Sequence, residues 1–220
     1  MALIVYGATL SPFVRKVCVA LEEKGLPYQL EMVSPLNPPP EFLAISPLKK
    51  IPAFRDTDIP EPNTLSDSSV ICDYIEHRFR GTPLYPTDPY LRARALWIEE
   101  FMDSAVAAGV GRGLFFERVI KKLMKQPTDD ALCQETLHKT LPPLFDYLEK
   151  ELGDKPYFVA DTYTIADISV GSMLATYQHC DENLERWPHL QAYAKRILAR
   201  PSFKKFIDQE TPIVAQLKAA

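Results

Sequence analysis

The chain has 220 residues, 46% of them hydrophobic and 25% charged, with a net charge of −4, a balance that suits one large or two small globular domains. No Lys/Arg cluster is interleaved with aromatics, which argues against nucleic-acid binding, and no apolar run approaches the ~20 residues of a membrane span. Met1-Ala2-Leu3 leads straight into a strand-like segment with no charged leader, so a cytoplasmic protein is expected. The cysteines (Cys18, Cys72, Cys133, Cys180) form no C-x-x-C pair and the four histidines are scattered; buried thiols are expected, with no metal site.

The apolar run Leu3-Ile4-Val5-Tyr6, closed by Gly7, predicts a first strand. Apolar residues at helical spacing follow (Val14, Val17, Cys18, Leu21), so residues 11–24 predict a helix with Ser11 at the N-cap, Pro12 at the first helical position and Gly25 at the end. Such a helix start carries unpaired N–H groups and a partial positive charge. A hydroxyl there suits either plain capping or donation to an incoming anion such as a thiolate. Tyr28 to Val33 predicts a second strand, parallel to the first because a helix separates them. A proline-rich loop over 34–40 and a short helix over 41–45 lead to Lys49-Lys50-Ile51-Pro52. A hairpin then runs from Ala53-Phe54-Arg55 to Thr64-Leu65. Ser66-Asp67-Ser68 opens a further helix with the stripe Val70, Ile71, Tyr74, Ile75.

Residues 80–89 are turn-rich and mark the boundary between a domain over 1–79 and an all-helical domain over 90–220. A long helix is predicted from Asp88 or Pro89, with the stripe Leu91, Ala95, Ile98, Met102, Ala105. Gly109, Gly111 and Gly113 in its continuation imply a weak turn, a kink, or a close approach to the backbone. Pro127 is expected to end that segment and Thr128 to cap the next helix, with a kink or break near 138–141 ahead of Pro142-Pro143. Thr164-Ile165-Ala166-Asp167 reads as a structural capping box. Helices over 187–199 and 202–209 close the chain.

Three separated elements carry a family resemblance: Ser-Pro-Phe-Val at 11–14, Leu-Lys-Lys-Ile-Pro-Ala-Phe at 48–54 and Leu-Ser-Asp-Ser-Ser-Val-Ile at 65–71. Together they resemble the cytosolic glutathione transferases, of serine type with tau- and theta-like features, and the resemblance spans nearly the whole chain. It implies an α/β thioredoxin-like N-terminal domain followed by an all-α domain. The implied activity is attack by the glutathione thiolate on small hydrophobic electrophiles, a detoxification chemistry, with glutathione-dependent peroxidase activity beside it. Glutathione is then a co-substrate, with no other cofactor and no metal. On this resemblance Ser11 is the catalytic donor, while Lys50, Ile51, Asp67 and Ser68 bind glutathione: Ile51 by backbone pairing next to a cis Pro52, Asp67 and Ser68 at the γ-glutamyl group, and Lys50 at the glycyl carboxylate. Phe13, Met102 and Arg112 line the electrophile site, and the protein is a homodimer. The same scaffold also accommodates a non-catalytic, protein-binding regulator and a glutathione-dependent isomerase or dehalogenase.

Overall fold

A computed structural model describes residues 2–219, and its chain divides into two compact units, Met1–Tyr85 and Pro86–Ala220. In the first unit, strands β1 (Leu3–Tyr6), β2 (Gln29–Glu31), β3 (Ala53–Asp56) and β4 (Thr64–Ser66) form one sheet in the order β2-β1-β3-β4. The β1–β2 pair is parallel, as its crossover through helix α1 (Pro12–Glu23) requires, and the β1–β3 and β3–β4 pairs are antiparallel. Side chains alternate across this sheet. Ile4, Tyr6 and Ala53 meet Phe42 and Ile45 of helix α2 (Pro40–Ile45) on one face. On the other, Phe54, opposite Val5, packs at a tilt against Tyr74 of helix α3 (Ser68–Arg78). Helix α1 packs beside α3 and ends as expected at Gly25, where the N–H groups of Gly25 and Leu26 bond back to the carbonyls of Glu22 and Leu21.

The second unit is helical, and among its described residues the one strand-like feature is an isolated bridge between Val159 and Thr162. Helix α4 (Pro89–Phe101) starts on the Asp88 carboxylate, which accepts from Leu91 N–H at 2.9 Å. It continues through wide, π-type turns at Met102–Val106 and Ala108–Ile120 into the short α5 (Lys121–Leu123). The glycines lie in the second wide segment, and close approach explains two of them. A Cβ on Gly109 would sit 2.6 Å from Leu141 Cδ2, and one on Gly113 would sit 2.3 Å from Thr136 Oγ1.

Helix α6 (Asp130–Glu135) follows, and its cap corrects the sequence-based expectation. Asp129 is the N-cap and accepts from Leu132 N–H at 3.0 Å, while the Thr128 hydroxyl donates to the Glu117 carbonyl. The preceding helix has already ended ahead of Pro127, at Met124 and the left-handed Lys125 (φ 57° at Lys49 and 54° here). Pro142-Pro143 does not break the helix. The chain widens into a π-type segment, Thr136–Thr140, and the prolines enter the first turn of α7 (Leu141–Leu152), where a missing N–H matters least. Helix α9 (Pro188–Leu198) is capped from a distance, since Glu149 of α7 accepts from His189 and Leu190 N–H at 2.9 and 2.8 Å. Helix α10 (Pro201–Ala219) runs ten residues past the expected end at 209 and carries Pro212 inside it.

Helix α8 (Ile165–His179) is buried on nearly every face and forms the axis of this unit. Its first turn is the expected capping box. Asp167, with no accessible surface, accepts from the Thr164 N–H and hydroxyl, the Phe158 N–H and the Tyr193 hydroxyl. Burial outweighs those four donors and lifts its carboxyl to about 6. All four cysteines are buried and unpaired with one another, and burial pushes the Cys180 thiol up to about 12, which leaves it a packing group.

Two outcomes follow. Gly113→Ala forces a methyl into Thr136 and is expected to destabilise the protein by about 1–3 kcal/mol. Gly111→Ala, with nothing within 4 Å of its Cβ position, is expected to stabilise it by up to about 1 kcal/mol; urea denaturation of both variants checks the pair. For Asp167, the raised folded pKa means the native state holds a proton that the unfolded chain has released between about pH 4 and about pH 6. Its stabilising contribution is therefore full below that window and is lost as pH rises through it. The stability gap between wild type and Asp167→Asn, measured by denaturation at pH 4 and pH 7, is expected to be larger at pH 4.

Candidate functional site

Sheet register gathers the site. Tyr6, the last residue of β1, lies opposite Ala53, the first of β3, and Ala53 lies opposite Ser66, the last of β4. The segments leaving these residues all emerge at one end of the sheet: Gly7 to Ser11, Ile51-Pro52, and Asp67-Ser68. This end lies outside the carboxyl ends of the parallel strands, where open α/β sheets bind their ligands. The packing there is tight. A Cβ on Gly7 would approach Val14 Cγ2 to 2.6 Å and Ile51 Cβ to 3.2 Å, so only glycine lets β1 turn into α1 against the Ile51 segment.

Ser11 occupies the N-cap position of α1, with its N–H donating to the Ala8 carbonyl at 3.0 Å and its carbonyl accepting from Arg15 N–H at 3.0 Å. Its hydroxyl makes no capping hydrogen bond. Plain capping, the competing explanation of this serine, is therefore not what the side chain does. Phe13 is the second residue of the same helix and half-buried.

The Ile51-Pro52 bond is cis. Among the described residues no hydrogen bond engages the Ile51 backbone, which leaves a donor and an acceptor to offer two residues ahead of β3. Just before it, the Ser46 hydroxyl donates to the Lys50 carbonyl at 2.6 Å and accepts from Lys50 N–H at 3.2 Å, pinning a turn from which the Lys49 and Lys50 side chains are exposed.

Asp67 is the N-cap of α3 and is held at φ 137°, a region that residues with a Cβ avoid at roughly 1–3 kcal/mol. Its Oδ1 accepts from Ser69 and Val70 N–H at 2.9 and 3.2 Å. Asp67 itself is exposed, and Ser68, the first helical residue, is nearly buried at 4%. A carboxylate and a helix N-terminus thus stand side by side, complementary to a group carrying both an ammonium and a carboxylate.

The remaining expected residues lie in the second unit. Met102 has no accessible surface, so the ligand-facing role expected for it gives way to packing. Arg112 is exposed on the segment Ala108–Ile120. Among the described residues, no cluster of potential metal ligands occurs and no helix is long and apolar enough to cross a membrane.

Sequence reasoning missed Arg15 and Lys16. Both lie on α1 within five residues of Ser11, and both are buried, at 0% and 1% exposure. The Lys16 ammonium donates to the Ser69 hydroxyl at 3.0 Å, tying α1 to the first turn of α3. The available signal was their place inside an otherwise apolar helix, where an ammonium needs a polar partner. Lys24 makes a second such tie, to Glu76 of α3 at 2.8 Å and to the Thr82 carbonyl at 3.0 Å.

Comparison with known proteins agrees with this geometry. The family model for the glutathione S-transferase N-terminal domain matches residues 5–83, and that for the C-terminal domain matches residues 115–210. A glutathione S-transferase from Hyoscyamus muticus is 31% identical over 218 residues, covering 94% of this chain and 99% of its own. Among solved structures, glutathione transferase F2 from Populus trichocarpa matches with a TM-score of 0.79 at 28% identity, over 96% of this chain and 99% of that one. A glutathione S-transferase from Methylobacterium radiotolerans, solved in complex with glutathione sulfonate, matches with a TM-score of 0.77 at 27% identity, over 94% and 95% of the two chains. Related over almost its full length to proteins of one kind, and matched by that kind's models in both halves, the chain belongs to the glutathione S-transferase family.

Proposed function

We propose that the protein transfers the glutathione thiolate to small hydrophobic electrophiles, with Ser11 as the group that stabilises the thiolate. The thiol of free glutathione, like that of cysteine, has a pKa of about 8.5, so it is mostly protonated at neutral pH. A hydroxyl donating to the sulfur at a helix N-terminus favours the charged form. The observation that carries this reading is the Ser11 side chain, placed at the start of α1 without a capping bond. The Ile51 backbone N–H and C=O pair with the cysteinyl residue as an added strand would. Asp67 takes the γ-glutamyl ammonium, and Ser68 with the first turn of α3 takes its carboxylate. Lys50 meets the glycyl carboxylate. Phe13, two residues after Ser11 on α1, meets the electrophile.

With the thiolate formed, conjugation makes a C–S bond and expels the leaving group, or adds across an activated double bond with a proton from water. A hydroperoxide is attacked by the same sulfur. The alcohol leaves, and a second glutathione converts the resulting sulfenic form to the disulfide and water. The family also implies a cytoplasmic homodimer, and a dimer mass by light scattering at micromolar concentration is expected.

Glutathione at millimolar concentration is expected to raise the melting temperature, because a ligand that binds only the native state stabilises it by mass action. No shift would overturn the enzyme reading in favour of a protein-binding relative. Ser11→Ala is expected to leave the melting temperature near that of wild type while lowering conjugation at pH 7 by about 10–100-fold, the worth of one hydrogen bond to a charged group. The deficit should shrink as pH rises past about 8.5, where solution alone supplies thiolate. Superimposable pH–rate profiles of the two proteins, with a fixed electrophile, would assign Ser11 no part in the chemistry.

A further inference from the structure

Helix α1 buries an ammonium. Lys16 is 1% exposed, and taking an ammonium out of water costs several kcal/mol even after the surroundings relax. The Lys16 ammonium lies 3.0 Å from the Ser69 hydroxyl. Ser69 stands in the first turn of α3, and its own N–H donates to Asp67 Oδ1 at 2.9 Å. A continuous path of two hydrogen bonds therefore joins the interior of α1 to the N-cap of α3.

The two helices it joins are those whose starts hold opposite parts of the ligand in the function proposed above, on which this inference rests. Ser11 meets the sulfur, and Asp67 and Ser68 meet the γ-glutamyl head. The two groups are about two residues apart in the tripeptide, roughly 7 Å when extended. A peptide that short cannot absorb a change in the spacing of its anchors, and a misplacement of about 1 Å at a reacting group can lower a rate by about 10²-fold. We infer that Lys16 is a positioning residue for glutathione: through Ser69 it holds the start of α1, with Ser11, in register with the start of α3, with Asp67 and Ser68. Lys16 touches neither the sulfur nor the γ-glutamyl group in this arrangement. It sets the distance between the groups that do.

The test separates anchoring at one end from registration of the two ends. Calorimetry would measure binding of glutathione and of γ-glutamyl-alanyl-glycine, which has no thiol for Ser11 to meet. Ser69→Ala cuts the tie and keeps the ammonium; Lys16→Met removes the ammonium; Lys16→Arg keeps a cationic donor of similar reach. Ser69→Ala and Lys16→Met are expected to weaken glutathione binding by about 5–10-fold and to leave binding of the thiol-free tripeptide within about twofold of wild type. The double variant should bind glutathione no more weakly than Lys16→Met alone, because both changes break one path. Lys16→Arg should recover most of the affinity.

Wild-type glutathione affinity in both Ser69→Ala and Lys16→Met would overturn the inference. So would an equal loss for both tripeptides accompanied by a lowered melting temperature, which is the behaviour of a residue that only supports the fold. Failure of the wild-type protein to bind glutathione would overturn the functional reading itself, and it is seen before any variant is made.

Discussion

The register of a small sheet determines where chemistry can occur in this protein. Tyr6, Ala53 and Ser66 occupy one rung, so three segments distant in sequence leave the sheet from the same end. A slip of one residue in either antiparallel pair would turn every side chain of that strand to the opposite face. Ala53 would then leave the small apolar cluster with Tyr6 and Phe42, and Phe54 would lose Tyr74. The core on the two faces of the sheet thereby fixes the spacing of the site, and neither Ser11 nor Asp67 has to supply it.

Charge buried inside the first unit refines what the sheet begins. Lys16 to Ser69 and Lys24 to Glu76 are two ties between α1 and α3, one near the start of the pair and one near its far end. Helix packing alone tolerates small sliding, because apolar contact has no direction. A hydrogen bond of 2.8–3.0 Å is directional and resists it. In the helical unit Asp167 plays a comparable part, joining the start of α8 to Phe158 and to Tyr193 of α9. That carboxyl has an environment strong enough to lift its pKa to about 6, yet all of its hydrogen bonds are to the fold. A perturbed acid is therefore not by itself a catalytic one.

The strands, the helix order and the capping box were legible because each has a local signature. Alternation marks Leu3 to Tyr6, the Ser-Pro pair marks the start of α1, and the Thr164 to Asp167 spacing marks α8. The second unit was less legible where long-range contact overrides local preference. Thr128 has the right chemistry for a cap, but its hydroxyl is drawn to Glu117 and Asp129 takes the position. Pro142-Pro143 suggests a break, but the wide turn over Thr136–Thr140 absorbs it. That segment also puts Thr136 against Gly113. The candidate site was legible as residue types at three positions, which the sheet register brings to one end. Arg15 and Lys16 were not singled out, because their one signal, a place within the apolar stretch of α1, says that they are buried but not which partner holds them.

The behaviour of the N-caps bears on what α1 is for. Asp67, Asp88 and Asp129 each give a carboxylate oxygen to N–H groups of the helix they start. Ser11 holds the same backbone position and gives none. With Pro12 next, one of the usual orphan N–H groups is absent, and the Arg15 N–H is already bonded to the Ser11 carbonyl. The first turn of α1 therefore keeps the N–H groups of Phe13 and Val14 without a cap, beside a hydroxyl free to turn. Capping Ser11 onto its own helix would satisfy those groups and quench the local positive potential. Leaving it uncapped concedes about 1 kcal/mol of helix stability and preserves both a donor and a field for an anion. A polar side chain at the N-cap position can thus serve the helix or be left to serve a ligand. The side-chain hydrogen bond decides which, and in α1 it is not made to the helix.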